Sequence, residues 1–272
     1  IMSNVHERLS KHILADGFPL VMDMEKSHGS YVVDENGDEY LDMFSMFASM
    51  AVGYNHPHLV KHHEFLGKMA VNKPAISDIY PKEFADFVDT FDRVAIPKEL
   101  SYAFFISGGA LAVENALKAA FDWKTRLNFA QGLQKEASQV IHFKQAFHGR
   151  SGYTLSLTNT QDPRKYKYFP KFNWPRIVNP KLTYPLTTEN ISQTITVEEK
   201  AIAEINQAIE SNPNDIACII IEPIQGEGGD NHFRKEFFQQ LRQICDDNEI
   251  LLIFDEVQTG LGITGKMWAY QH

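Results

Sequence analysis

The sequence predicts an α/β protein with a mostly parallel sheet and helices on both faces. Two continuous apolar stretches, IACIII (216–221) and ILLIF (250–254), are typical of strands buried on both sides. Between them, HFRKEFFQQLRQICDD (232–247) has the spacing of an amphipathic helix. Apolar strands that alternate with helices indicate parallel strands joined by helical crossovers.

The N-terminal part, residues 1–70, has a different pattern. YVVDENGDEYLD (31–42) places Asn36-Gly37 between two short β-prone stretches and therefore predicts a tight antiparallel hairpin. GYNHPHLVKHHEFL (53–66) carries an asparagine and a proline ahead of a helical pattern, so a helix should follow. His58 and His62 lie four residues apart, but no further residues with metal-ligand spacing accompany them, and we expect no metal site.

Residues 71–272 should form one large domain. AFFIS (103–107) predicts a strand, GGA a turn, and LAVENALKAAFDWKTR (111–126) a helix; SQVIHF (138–143) predicts another strand. In sheets of this kind, ligands bind beyond the carboxyl ends of the strands.

Composition narrows the class of partner. Lys and Arg number 26 against 35 Asp and Glu, giving a net charge of -9, so neither nucleic acid nor an anionic membrane is an expected partner. Cys218 and Cys245 form neither a disulfide framework nor a CxxC metal site. With no apolar stretch long enough to cross a bilayer and no secretory signal at the N-terminus, we expect a cytoplasmic protein.

Four predicted strands end in segments with chemically useful side chains. These segments are SGGA (107–110), KQAFHGR (144–150), EPIQGEGG (222–229) and DEVQTG (255–260). Glycines and free N–H groups at a helix start suit a phosphate dianion. Phe147 can cover a planar ring, and Asp255 can hold a cationic ring nitrogen. A phosphate, a flat ring and a cationic nitrogen together describe pyridoxal phosphate.

The same segments, with GGALAVENALKAAFDWK (108–124), resemble the class III pyridoxal-phosphate-dependent aminotransferases over essentially the whole chain. The resemblance implies the fold of type I pyridoxal-phosphate-dependent transferases and a homodimer. SGGALAVENA departs from the Ser-Gly-x-Glu-Ala form that is commoner in the class, which favours L-lysine as amino donor over ornithine or 4-aminobutyrate. The implied reaction moves the terminal amino group of L-lysine to 2-oxoglutarate, giving 2-aminoadipate 6-semialdehyde and glutamate.

The resemblance also implies roles for individual residues. The cofactor-binding set comprises Gly108, Gly109 and Ala110 at the phosphate, Phe147 and His148 on the ring, Asp255 at the pyridine nitrogen, Gln258 on the ring-oxygen side and Glu222 beside the cofactor. The substrate-binding set comprises Arg150, which would bind the carboxylate of lysine, Gln258, and Glu227, which would cover a second arginine when lysine is bound.

The lysine that forms the Schiff base in this family is absent from the 272 residues. Lys266 belongs to a glycine-rich segment, and Lys118 and Lys144 are no better placed. We therefore expect an N-terminal portion, truncated before the end of the large domain and inactive alone. The alternative is a catalytically dead chain that still binds the cofactor or phosphate.

A nucleotide-binding ATPase is a further alternative, because LLIFDE (251–256) and GLGITGK (260–266) superficially resemble a magnesium-binding strand and a phosphate loop. Met267 stands where such a loop needs a hydroxyl side chain. The acidic strand also precedes its own loop with no crossover between them. Chance glycine spacing is the better explanation.

Overall fold

The computed structural model describes residues 4–272. Contacts divide the chain into two compact units, one that ends at Ser101 and one from Tyr102 to His272. The domain boundary expected after residue 70 stays a prediction.

The first unit contains the predicted hairpin. Strands β1 (Tyr31–Val33) and β2 (Glu39–Leu41) pair antiparallel. The Asp34 carboxylate accepts hydrogen bonds from the N–H groups of Asn36 and Asp38, both at 2.9 Å, while Gly37 adopts φ +89°. A carboxylate that caps the turn and a glycine that tolerates positive φ explain why this stretch closes tightly.

The helices of the first unit are short and mostly exposed. They are α1 (Asn4–Leu9), the single turn α2 (Ser45–Ala48), α3 (Pro57–Lys61), α4 (His63–Ala70) and α5 (Lys82–Val94). The predicted helix over 53–66 is therefore present, split into α3 and α4. Pro57 occupies the first position of α3, where its missing N–H costs no hydrogen bond.

The second unit contains a parallel sheet in the order β4-β3-β5-β6. Its strands are β3 (Gln139–Phe143), β4 (Arg176–Ile177), β5 (Ile216–Ile221) and β6 (Leu251–Phe254), and all neighbouring pairs are parallel. The helices are α6 (Gly109–Ala130), α7 (Thr154–Leu157), α8 (Thr188–Ser211) and α9 (Lys235–Asp247). The predicted α/β class is confirmed.

Helices cover both faces of this sheet. On one face, Ile219 and Ile221 of β5 pack in a buried cluster with residues of α8 and α9, among them Phe237. On the other face, Cys218 and Ile220 pack in a second cluster with residues of α6. Burial on both faces is the reason that β5 is continuously apolar, and it fixes the strand ends that carry the site.

The strand predicted over 103–107 is wrong. Residues 101–106 have no regular secondary structure, and Phe104 is 70% exposed. A strand needs a neighbour for its backbone hydrogen bonds, and within residues 4–272 no strand pairs with this stretch.

Over the same described range, no helix is both long enough and apolar enough to cross a membrane.

Candidate active site

A cavity of about 500 Å³ lies beyond the carboxyl ends of β3, β5 and β6. The residues predicted from sequence meet there: all of them except Gly108 line the cavity. The lining residues are Gly109, Ala110, Phe147, His148, Gly149, Arg150, Ser151, Glu222, Ile224, Glu227, Asp255, Val257 and Gln258. Four segments that are distant in sequence thus form one site.

The start of α6 forms one wall. Gly108 precedes the helix with φ +93°, a conformation that favours glycine, and no side chain caps the first turn. A Cβ atom on Gly109 would lie 2.8 Å from Val257 Cγ1, so a larger residue here would have to displace the Val257 side chain. Uncapped N–H groups and the helix dipole at this wall suit a phosphate group.

A buried acid–imidazole pair forms the floor. His148 Nδ1 lies 2.7 Å from Asp255 Oδ2, and both side chains are almost completely buried. Burial alone would lower the pKa of His148, but the hydrogen bond to Asp255 and the negative charges of Asp255 and Glu222 outweigh it and raise that pKa. The contact with Asp255 therefore favours the protonated form of His148.

Glu222, directly after β5, is the second buried carboxyl group. Burial, and to a smaller extent the charge of Asp255, raise its pKa, while the positive charge of His148 and the hydrogen bond from the Phe147 N–H lower it; the net pKa is about 7. The Phe147 N–H donates to Glu222 Oε1 over 2.9 Å. Glu222 thus holds the backbone of the aromatic residue that faces the cavity.

The loop after β3 is fixed by close contacts. Thr158 Oγ1 accepts a hydrogen bond from the His148 N–H at 3.0 Å and donates to the Gly149 carbonyl at 2.7 Å. A Cβ atom on Gly149, whose φ is +122°, would lie 2.7 Å from Ala110 Cβ. The loop therefore rests directly on the start of α6, and Arg150 projects from its exposed end.

Sequence reasoning missed one charged residue at the site. Lys165 Nζ forms an ion pair with Glu227 and lies 5.9 Å from the centre of the Phe147 ring. Lys165 ends a single turn of 3-10 helix, Pro163–Lys165, in a segment without helical or strand periodicity. No local pattern in the sequence distinguishes it from the neighbouring Lys167.

The glycine-rich segment after β6 is structural. The Glu256 carboxylate accepts hydrogen bonds from the N–H groups of Ala269, at 2.8 Å, and Tyr270, at 2.9 Å. A Cβ atom on Gly260 would lie 2.5 Å from the Trp268 ring. Within the described range, Lys266 is exposed and is followed only by the 3-10 turn Ala269–Gln271 rather than by the helix of a phosphate loop.

A larger cavity of about 700 Å³ lies between α9 and β6. Phe238, Phe254 and Tyr270 line it, and its described lining includes neither aspartate nor glutamate. It offers an apolar surface but no pair of acidic groups for a cationic ring. The smaller cavity is therefore the better candidate for catalysis.

The donor set of the smaller cavity fits pyridoxal phosphate. The start of α6 suits the phosphate, Phe147 can cover the ring, and the buried Asp255 carboxylate can face a protonated pyridine nitrogen. Asp255 is buried and lines the cavity, so a protonated ring nitrogen placed there would meet a carboxylate that water screens little.

Residues 14–272 match the family described as Aminotransferase class-III. The chain is 53% identical to the L-lysine-epsilon aminotransferase of Mycobacterium tuberculosis, over 98% of this chain and 60% of that relative. It is 47% identical to the L-lysine-epsilon aminotransferase of Amycolatopsis lactamdurans, with the same coverage of 98% and 60%. The chain thus spans about 60% of the length of these curated relatives.

The fold also matches a solved structure, a lysine aminotransferase from M. tuberculosis in the internal aldimine form. The TM-score is 0.92 at 52% sequence identity, over 98% of this chain and 62% of that chain.

The proton on Glu222 should make the stability of the chain depend on pH. Because the pKa of Glu222 is raised from 4.5 to about 7, its proton stabilises the folded chain fully below about pH 4.5. That contribution, on the order of 3 kcal/mol, is lost as the pH rises through about 7. The raised pKa of His148 acts in the same direction.

The variant Glu222→Gln keeps an acceptor for the Phe147 N–H but removes the titration. We expect its free energy of unfolding in urea to fall less than that of the wild-type chain between about pH 5 and about pH 8. Glu199→Gln, at an exposed position of α8, is the matched control and should follow the wild type. Equal pH dependence of the Glu222→Gln variant and the wild type would contradict the assignment.

Proposed function

The chain belongs to the class III aminotransferases, and we propose that its protein moves the terminal amino group of L-lysine to 2-oxoglutarate, giving 2-aminoadipate 6-semialdehyde and glutamate. The cofactor is pyridoxal phosphate. The observation that carries the proposal is the buried pair of His148 and Asp255 at the floor of a cavity whose rim holds Arg150. The names of the similar enzymes support lysine as donor.

Three parts of the cavity would hold the cofactor. Gly109 and Ala110, with Gly108 beside them, would bind its phosphate at the start of α6. Phe147 would lie against the ring, with the adjacent His148 orienting Asp255 toward the pyridine nitrogen. When bound, the cofactor supplies an electron sink for the carbanion that forms as the substrate loses a proton. Glu222 would fix this arrangement through the Phe147 backbone, and Gln258 would contact the ring-oxygen side.

Substrate binding would depend on the charged rim. Arg150 is exposed at the cavity and has the geometry for a bidentate contact with a carboxylate. Glu227 would respond to which substrate is bound, because its carboxylate lines the cavity and can pair with a cation there, and Gln258 would contact the substrate as well. Holding the carboxylate of lysine at Arg150 directs its distal amine toward the ring.

Two further proposals concern assembly and location. We propose a homodimer in the cytoplasm, in keeping with the family resemblance and with two buried cysteines that form no disulfide. Ornithine and 4-aminobutyrate remain alternative amino donors. They differ from lysine in chain length or in lacking the α-amino group, so comparing the affinities of the three amines discriminates among them.

The 272-residue chain should not catalyse transfer by itself. No lysine is among the described residues that line the cavity: Lys165, at the rim, is paired with Glu227, and Lys118, Lys144 and Lys266 are exposed elsewhere. Incubated with pyridoxal phosphate, L-lysine and 2-oxoglutarate, the chain should form no glutamate above a protein-free control in a coupled assay. Glutamate formation that depends on the chain would contradict this proposal.

Cofactor binding can be tested without a covalent link by using pyridoxamine 5'-phosphate. We expect the wild-type chain to bind it and Asp255→Asn to bind it roughly 10-fold more weakly, because a charge-assisted contact to the ring nitrogen is lost. Asp230→Asn, on an exposed loop position, is the matched control. The measurement is a fluorescence titration; equal affinities of the Asp255→Asn variant and the wild type would rule out the proposed role of Asp255.

Lys165 should influence which substrates bind, since it neutralises Glu227 at the rim. Lys165→Met leaves the Glu227 charge unpaired, so the dianion glutarate should bind about 3-fold more weakly at low salt, while L-lysine affinity should be unchanged or higher. Lys167→Met removes the same charge from an exposed neighbour that lies over Tyr168 and should change neither affinity. Calorimetry measures both; identical behaviour of the two variants would refute the effect.

A further inference from the structure

A carboxylate on α6 ties the phosphate-facing helix to the loop that carries Arg150. Glu114 lies on the second turn of α6, half-buried, outside the set of residues that line the cavity. Its Oε1 atom accepts a hydrogen bond from Ser151 Oγ at 2.7 Å and another from the Thr154 N–H at 3.1 Å. One carboxylate oxygen therefore holds both ends of a single turn.

Ser151 and Thr154 are also bonded to each other. The Ser151 N–H donates to Thr154 Oγ1 at 3.0 Å, and the two hydroxyl oxygens lie 2.9 Å apart. Thr154 is fully buried at the start of α7. Because Glu114 is the only charged member of this cluster, its hydrogen bonds are the stronger ones and set the position of the turn.

On the other side of Arg150, the backbone is equally constrained. Gly149 lies against Ala110 on the first turn of α6, at a distance that leaves no room for a side chain, and its carbonyl accepts from Thr158 Oγ1. Arg150 therefore stands between two residues that are both anchored near α6. Its own guanidinium forms no ion pair with the described residues, which leaves it available to a carboxylate ligand.

We propose that Glu114 is a positioning residue that sets Arg150 relative to the start of α6, and so fixes the distance between the phosphate end of the site and the substrate carboxylate. The inference rests on the proposed role of Arg150 in substrate binding. Glu114 acts through Ser151 and Thr154 and touches neither substrate nor cofactor. A second role as general stabiliser of the fold would affect all ligands alike, whereas a positioning role affects carboxylates selectively.

The chain offers variants that separate these effects. Glu114→Ala removes the acceptor, whereas Glu114→Gln keeps an oxygen that can accept from both donors. Asn115→Ala, one residue further along α6, removes a side chain that bonds only to the carbonyl of Leu111 on its own helix. It serves as the matched control for changes in α6 itself.

The first measurement is hydrogen–deuterium exchange of the backbone amides of residues 150–154 in the 272-residue chain. We expect faster exchange in Glu114→Ala, near wild-type exchange in Glu114→Gln, and no change in Asn115→Ala. The second measurement is the affinity for glutarate, by calorimetry with pyridoxamine 5'-phosphate present. Glutarate should bind about 10-fold more weakly to Glu114→Ala, while the affinity for pyridoxamine 5'-phosphate stays within about 2-fold of the wild type.

The outcomes distinguish the inference from the function on which it rests. If Arg150→Met weakens glutarate binding but Glu114→Ala does not, the inference is overturned and the role of Arg150 stands. If Arg150→Met leaves glutarate affinity unchanged, the role of Arg150 falls and the inference falls with it. If Glu114→Ala weakens both ligands equally, or Glu114→Gln fails to restore binding, Glu114 is a structural residue and the inference is wrong.

Discussion

The hydrogen bond between His148 and Asp255 is the interaction on which the site depends. It joins the end of β6 to the loop after β3, across a distance of 107 residues in the sequence. A buried carboxylate is costly to desolvate, and the imidazole offsets that cost only if both groups are held close together. The positions of Phe147, Gly149 and Arg150 follow from this constraint, because they flank His148 in the same loop.

Glu222 is a third titratable group beside the His148–Asp255 pair. The carboxyl groups of Asp255 and Glu222 lie close to the buried imidazole of His148. The negative charges of Asp255 and Glu222 raise the pKa of His148, and the positive charge of His148 lowers the pKa of Glu222. Burial favours the neutral form of Glu222 and raises its pKa to about 7, although the positive charge of His148 opposes this rise. A positive ring nitrogen beside Asp255 would shift this balance toward the ionised form of Glu222. Binding of a cofactor whose ring nitrogen is protonated would therefore be linked to proton release from Glu222.

Much of this arrangement could be predicted from the sequence, because parallel strands collect their following residues at one edge. The continuous apolar character of β5 and β6 located Glu222 and Asp255, and the glycines located the start of α6. The strand that the same reasoning predicted over 103–107 does not form, since an apolar stretch carries no information about whether a partner strand is present. The contacts of Lys165 and Glu114 could not be predicted from the sequence, because their partners, Glu227 and Ser151, lie 62 and 37 residues away along the chain.

The start of α6 has two physical roles in our proposal, and they constrain each other. As the proposed anion site it needs uncapped N–H groups and room for close approach, so side chains must be small there. As the support for the loop after β3 it must be contacted tightly, and Ala110 against Gly149 provides that contact. Small residues occupy the first turn, at Gly109 and Ala110, and the anchoring carboxylate lies one turn later, at Glu114. Separating the anion site from the anchor by one helical turn allows a single rigid element to serve both.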